Sequence, residues 1–398
     1  MLRWGEASIE LMYRDRAWVE IDVAAIAHNI RELRRLLTPE TELMTVVKAD
    51  AYGHGAIIVA KAVLQAGAAW LGVATIPEGI ELRKAGLTAP ILVLGATNTA
   101  DQVESLRRWH LIPSLCTPKQ ALIFSEALGD RRHLPVHLMF DTGMSRLGTR
   151  WEGAQAFVQL VRRLPNLTIA GVYSHCATAD NPDPTVMRLQ QQRFEQILDD
   201  CDLRRPSYKI HFANSAALIS DRGLHYDMAR SGLATYGLYP APHLRSQLDL
   251  RPALQVKARI TQIKQLPAGT GVSYGHRFVS DQDMTLAVIG IGYADGVPRC
   301  LSNQMTVSIN GKAVRQVGAI TMDQIMLDVT DVPQIQEGDV VTLLGQDGEQ
   351  VMTVDNWAEK LGTISWEILC GFKNRLPRVT VNAACDRNMN ITSAELTA

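Results

Sequence analysis

No excess of charge of either sign marks this chain. Its 40 lysines and arginines offset 41 aspartates and glutamates, a formal net charge of −1, which leaves no basic field for a nucleic acid or an anionic membrane surface. Long apolar runs are missing too: no stretch of the sequence reaches the roughly eighteen uninterrupted apolar residues that a membrane-spanning helix needs. The opening MLRWGEASIELMYRD holds no apolar core of signal-peptide length. The six cysteines (Cys116, Cys176, Cys201, Cys300, Cys370 and Cys385) include no CxxC pair and no close histidine partner. That argues against a structural zinc site and a disulfide framework, and fits a reducing compartment. These absences predict a cytoplasmic protein that acts on a small molecule, with no metal, nucleic acid or membrane among its partners.

What the sequence does have is an alternation. From residue 17 to about 240, short β-branched runs trade places with longer helical stretches. The strand candidates are AWVEID, LMTVVKA, WLGVAT, PILVLG, LIPSLC, PVHLMFD, LTIAGVYSH, KIHFAN and YDMARSG. Amphipathic segments such as IAHNIRELRRLL and AQAFVQLVRRL lie between them. Alternation on this scale predicts an α/β protein with a parallel sheet, and its length suits a (β/α)8 TIM-like barrel better than an open sheet. Nine candidates are one more than a barrel needs, so the first, residues 17–22, is expected to pack with the C-terminal domain. Beyond residue 250 the texture changes to strands joined by Gly, Asn and Asp turns, and Asn310–Gly311 between two alternating runs is a strong hairpin signal. The expected organisation is an N-terminal tail over 1–16, the barrel over 17–249, a mostly β C-terminal domain over 250–385 and a polar tail over 386–398.

One residue stands out in the second strand candidate. The run LMTVV ends on Lys48, and the turn after it carries Tyr52, Gly53, His54 and Gly55. A buried ammonium is costly unless it is neutralised or paired. In barrel enzymes the reacting residues sit at the carboxyl ends of strands, and Lys48, Asp141, His175, Asn214 and Arg230 each close an apolar run. Any one of them is explained equally well as a strand end in water; all of them together suggest one mouth. A lysine there has three available jobs: a Schiff base with a substrate carbonyl, a Schiff base with pyridoxal phosphate, or a phosphate clamp. Its surroundings favour the second. FANSAA puts Ser215 at a strand-to-helix turn, and ARSGLATYG supplies the Gly232 and Leu233 amides just after Arg230, a combination suited to a cofactor phosphate. Tyr52 adds a phenol.

At this point VVKADAYGHG resembles the cofactor-lysine motif of the alanine racemase family, a fold-type III pyridoxal phosphate group. The resemblance continues through DTGMSRLG, YSHCATAD, HFANSAA, ARSGLATYG, GVSYGHRF, GYADGVPR, VGAITMDQIMLDV and WEILCGFKNRLPRV, nine motifs in the family's order across nearly the whole chain. The last is similar to cyanobacterial-type members. What the resemblance implies is a pyridoxal 5′-phosphate-dependent racemase that interconverts L-alanine and D-alanine with two bases and supplies D-alanine for peptidoglycan. Lys48 would carry the cofactor and act as one base; Tyr274 would be the second, on the opposite face of the substrate. A free phenol titrates near pH 10 or so, so Tyr274 needs cationic or hydrogen-bonding neighbours to act as a base near neutrality. The family pattern puts His175 against this tyrosine, and Arg230 against both the histidine and the pyridine nitrogen. Tyr52, Ser215 and the amides of Gly232 and Leu233 would hold the phosphate. Arg146 and the Met322 amide would meet the substrate carboxylate, and Tyr293 and Asp323 would line the way in. Because Tyr274, Tyr293, Met322 and Asp323 fall in the β domain, the family architecture places them in the partner subunit's site, giving a head-to-tail homodimer.

Two positions depart from the pattern. Many members carry a carbamylated lysine seven residues before the arginine of DTGM, and here that residue is Met139; a bound anion, a water or a neighbouring amide is then expected to orient Arg146. Trp366 replaces a tyrosine whose hydroxyl meets the cofactor phosphate, and its indole N–H sits elsewhere on a bulkier ring. A serine or broad-spectrum racemase is therefore the alternative reading, since pocket shape alone rejects an added hydroxyl poorly. A fold-type III decarboxylase or a non-enzymatic cofactor carrier has less need of GVSYGH and TMDQ.

Overall fold

In a computed structural model, which describes residues 14–129 and 133–383, the chain divides into two units. The first comprises residues 25–51 and 56–251; the second comprises 14–24, 52–55 and 252–383. Residues 1–13 and 384–398, with most of the expected N-terminal tail, Cys385 and the polar C-terminal tail, lie outside the described residues.

Strand β1 (Ala17–Asp22) belongs to the second unit. The first unit is a nearly closed parallel barrel. Its strands are β2 (Glu42–Val46), β3 (Trp70–Val73), β4 (Ile91–Val93), β5 (Ile112–Leu115) and β6 (Leu134–Asp141); β7 (Thr149–Arg150) is a short side strand on β6. The barrel continues with β8 (Leu167–Tyr173), β9 (Lys209–His211) and β10 (Met228–Ser231), and β10 returns to pair with β2 in parallel, Met228 opposite Glu42. The β9–β10 seam is closed by backbone bonds from Asp227 N to Ile210 O (3.0 Å) and from Arg230 N to Ala213 O (3.1 Å).

The helices after β3, β4 and β5 start in the same way. Thr75, Thr99 and Thr117 each cap their helix while Glu78, Gln102 and Gln120 reach back to the cap amide, giving a capping box three times over. The helix Ala154–Arg163 buries Ala154, Phe157, Val158 and Val161, the spacing of one helical stripe, against the barrel. Inside the barrel Met44, Trp70, Leu92, Cys116, Met139, Tyr173 and Met228 form a buried cluster. Fully buried polar groups, His137, His211 and Ser114, share the barrel strands.

The second unit is mostly β. Its main sheet runs Lys312–Arg315, Thr306–Ile309, Val340–Asp347, β11 (Leu254–Leu266), β1 and Arg378–Val381. Strand β1 lies antiparallel to β11 and parallel to Arg378–Val381. The long β11 shifts register between Ile260 and Gln262 and then pairs with Met284–Ile289, so one strand serves two partners. Asn310 (φ 51°) and Gly311 (φ 75°) turn Thr306–Ile309 into Lys312–Arg315, the paired positive φ that a two-residue hairpin requires. Between strands lie two helices, Val354–Leu361 and Ser365–Gly371. Among the described residues no helix is long and apolar enough to cross a membrane, and no cluster of metal-ligating side chains occurs.

Candidate active site

Lys48 stands half-buried immediately after β2 and opens an unusual turn. Ala49, Asp50, Ala51 and Tyr52 all have φ between 52° and 55°, one turn of left-handed helix without a glycine. That conformation costs about 1–2 kcal/mol per residue for L-amino acids. Strain of this kind concentrates at functional sites when surrounding groups over-determine it. Two carboxylates do so here. Glu78 Oε1 accepts from Ala49 N (2.8 Å), and its Oε2 accepts from Ala74 N (2.7 Å) and Thr75 N (3.0 Å). Asp50 Oδ1 accepts from Ala56 N (2.7 Å). Glu78→Gln leaves one acceptor oxygen for three amides. It should cost about 1 kcal/mol of stability, seen as a lowered thermal midpoint, and should reduce kcat because the freed amide adjoins Lys48. A variant equal to wild type in both would dismiss this brace.

Arg230, on β10, is buried, and its hydrogen-bond partners among the described residues are all neutral. Its Nη1 donates to His211 Nδ1 (3.0 Å); its Nη2 donates to Ser174 O (2.9 Å), His175 Nδ1 (3.2 Å) and Phe212 O (3.1 Å). The Tyr173 ring lies 5.3 Å from its Cζ. Burial pulls its pKa down, yet guanidinium stays charged in proteins. The result is a buried cation with no carboxylate partner among the described residues. His175 is pushed down to about 3, by burial first and then by Arg230, Arg146 and Lys48, so it is a neutral imidazole. Its Nδ1 accepts from Arg230, which leaves the proton on Nε2.

Beside Arg230 the backbone forms a donor cradle. Ser215 Oγ accepts from Gly232 N (2.9 Å) and Ala234 N (3.4 Å), so these amides converge at the start of the short helix Leu233–Tyr236. Ser215 itself begins a helix capped by Asn214, whose Oδ1 accepts from Ala217 N (3.0 Å). Converging amides and a hydroxyl at a strand-to-helix turn suit a phosphate.

Two strand-end residues of the sequence analysis do other work. Asp141 Oδ1 accepts from the amides of Gly143, Met144 and Ser145 at 2.9–3.0 Å, and Asn214 is a helix cap. They build the loops rather than the mouth chemistry. Arg146 lies exposed on the loop that Asp141 ties, and among the described residues no protein group hydrogen-bonds its guanidinium. Met139 is buried, with its sulfur 3.9 Å from Cys116 Sγ.

The other expected site residues lie in the second unit, where three loops are stitched together. Tyr274 follows Ser273 in a loop held by the two-stranded ribbon Gly271–Val272 and Phe278–Val279. Ser273 Oγ donates to Ala319 O (2.7 Å). Tyr293 N donates to Thr321 O (3.0 Å) and Ala294 N to Met322 O (3.1 Å). Asp323 pairs with Arg375, and the buried Asp295 takes both Arg16 nitrogens at 2.8 Å. Trp366 lies partly buried in the first turn of Ser365–Gly371. The same helix meets the turn of Tyr52: a Cβ on Gly53 would stand 2.4 Å from Leu369 O. Burial, with Cys370 adding to it, pushes the Tyr52 phenol up to about 12, which keeps it a hydrogen-bond donor.

Comparison with known proteins decides the family. The alanine racemase N-terminal domain matches residues 21–240 and the alanine racemase C-terminal domain residues 253–380. The chain belongs to the alanine racemase family. It is 58% identical over 375 residues to the alanine racemase of Nostoc sp., covering 93% of this chain and 97% of that one. The alanine racemase of Streptomyces lavendulae superposes with a TM-score of 0.86 at 36% identity, covering 93% of this chain and 98% of that one. The alanine racemase of Bartonella henselae, whose structure carries covalently bound pyridoxal phosphate, superposes with a TM-score of 0.82 at 32% identity over 92% and 99% of the two chains. The family is pyridoxal phosphate-dependent, and its members are isomerases.

The sequence reading missed Glu78, His137 and His211. The capping-box spacing Thr75-x-x-Glu78 is visible in the sequence, but the bond from Ala49 to Glu78 spans 29 residues. The two histidines, 74 residues apart in sequence, sit on strands that read only as apolar runs.

Proposed function

We propose that this chain is an alanine racemase with pyridoxal phosphate on Lys48, working in the cytoplasm to supply D-alanine for peptidoglycan. The observation that carries it is the donor set around Arg230: a buried cation with no carboxylate partner among the described residues, next to amides and a hydroxyl that converge as a phosphate requires. Pyridoxal phosphate, when bound, supplies the electron-withdrawing ring that acidifies the Cα–H bond of an attached amino acid.

The protein's part is placement and proton handling. Ser215, Gly232, Leu233 and Tyr52 would hold the phosphate, as the family pattern implies, the last as a neutral phenol. Arg230 can only donate, so beside the ring nitrogen it would favour the unprotonated form and a weaker electron sink, which suits return of the proton to Cα over transamination. Arg146 and the Met322 amide orient the substrate carboxylate, with an anion or a water steadying Arg146. Lys48 handles the proton on one face of Cα and Tyr274 on the other, while Tyr293, Asp323 and Trp366 shape the approach.

Tyr274, Met322 and Tyr293 are 74%, 52% and 41% exposed in the single chain. Large apolar side chains grouped on one set of loops favour cover by a second copy. We therefore assign a head-to-tail homodimer in which these residues complete the partner's barrel mouth.

Proton NMR in D2O, with the holoenzyme given L-alanine and L-serine in turn, tests the function. Loss of the α-proton signal with inversion is expected for alanine. Equal rates for serine would shift the reading to a broad-spectrum racemase, which Trp366 in place of the usual tyrosine makes the second choice. No exchange on either amino acid would refute the racemase reading.

A further inference from the structure

Beneath Arg230 lie two rings that the functions above do not use. Arg230 Nη1 is 3.0 Å from His211 Nδ1, and His211 Nε2 is 2.9 Å from His137 Nδ1. A guanidinium donates only, so His211 Nδ1 carries no proton and Nε2 does. That N–H must donate to His137 Nδ1, which places the proton of His137 on its own Nε2. One donor-only cation thus dictates the tautomers of two successive rings.

The surroundings hold the rings in place. Tyr173 stacks on His211 at 4.6 Å and 8°. Its hydroxyl meets Ser114 Oγ at 2.7 Å, and Ser114 donates onward to Val93 O at 2.8 Å. Gly171 makes room for the second ring, because a Cβ there would stand 2.5 Å from His137 Cε1. Burial and the Arg230 charge push His137 down to about 3, in keeping with a neutral ring.

The chain ends at His137 Nε2, which is buried and has no hydrogen-bond partner among the described residues. Leaving a buried donor unpaired costs stability, and an apolar residue at this position would avoid that cost. The ring is accounted for by its other nitrogen, the acceptor that fixes His211.

We propose that His137, acting through His211, is a positioning residue that locks the rotation of the Arg230 guanidinium toward the barrel mouth. This rests on the role given to Arg230 above. His211 with an unpaired Nε2–H could flip its tautomer or its ring, and Arg230 would then lose one of its four acceptors.

The test combines a spectrum with a rescue. In wild-type holoenzyme labelled with 15N-histidine, assigned with the His137→Asn spectrum, both rings should show a protonated Nε2 and a bare Nδ1. An Nδ1–H or an imidazolium on either ring would overturn the lock, whatever the activities of the variants. His137→Leu removes the acceptor and should lower kcat about tenfold or more with KM near wild type. His137→Asn keeps an acceptor near the Nδ1 position and should recover to within about threefold of wild type. Equal losses in His137→Leu and His137→Asn, or no loss in either, would sink the proposal. Enzyme with both rings in the Nε2–H form but no α-proton exchange on alanine would sink the racemase reading and leave the lock standing.

Discussion

Tyr274→Phe should lower kcat for alanine racemisation by about 10²–10⁴-fold while one enantiomer, and only one, still exchanges its α-proton with D2O. The split follows from geometry. With bases on opposite faces, the enantiomer whose Cα–H lies on the lysine side can lose and regain its proton there without inverting. The other enantiomer presents its Cα–H to a phenyl ring and does nothing. A single lysine swinging between faces would make both enantiomers slow together. NMR of each enantiomer in D2O, with chirality assayed at the end, separates the two cases.

The position of Tyr274 supports giving it this weight. Ser273, Gly275 and His276, around it, have φ of 63°, 71° and 44°, and Gly271 has no side chain where a Cβ would stand 2.3 Å from the His276 ring. Such a loop holds a strained shape to present one exposed phenol. A phenol near neutrality needs help to shed its proton. His175 cannot offer it a charge, since its own pKa is pushed down to about 3. What it can offer in the proposed dimer is the Nε2–H of a neutral ring whose other nitrogen is held by Arg230. The pH profile should accordingly carry no break from His175 between about pH 5 and 9.

Much of this was legible in the sequence, for definite reasons. Lys48 could be found because a lysine at the end of LMTVV breaks an apolar strand. The parallel α/β unit could be found because β and helical periods alternate, the barrel rather than an open sheet resting in part on the family resemblance, and the paired positive φ at Asn310–Gly311 has a two-letter signature. The left-handed turn had no such signature. Ala49, Asp50, Ala51 and Tyr52 include no glycine, and their conformation is imposed by contacts such as that of Glu78 from a later helix. Asp141 and Asn214 showed the limit of strand-end logic: both close apolar runs, yet both bond backbone amides. His137 and His211 were invisible for another reason, because a buried polar pair across barrel strands leaves no spacing pattern.

Lys48→Ala should abolish racemisation and release the cofactor from covalent attachment, so that dialysis removes it and its imine absorbance disappears; the loss belongs with removal of a covalent nucleophile. The more informative result comes from pairing this variant with Tyr274→Phe. Each is expected to be nearly inactive as a homodimer. Co-expressed with different tags and purified as a mixed dimer, they distribute their defects according to how the sites are built. If each site takes Lys48 from one chain and its tyrosine from the other, the mixed dimer holds one site lacking both bases and one site lacking neither. It should then recover about half of the wild-type kcat per dimer. If each site is built within one chain, both sites lack one base and the mixed dimer stays as inactive as its parents. Recovery therefore establishes in one measurement that the exposed loop of Tyr274 serves another chain's lysine, while its failure would remove the head-to-tail assembly and leave the two bases to be sought within a single subunit.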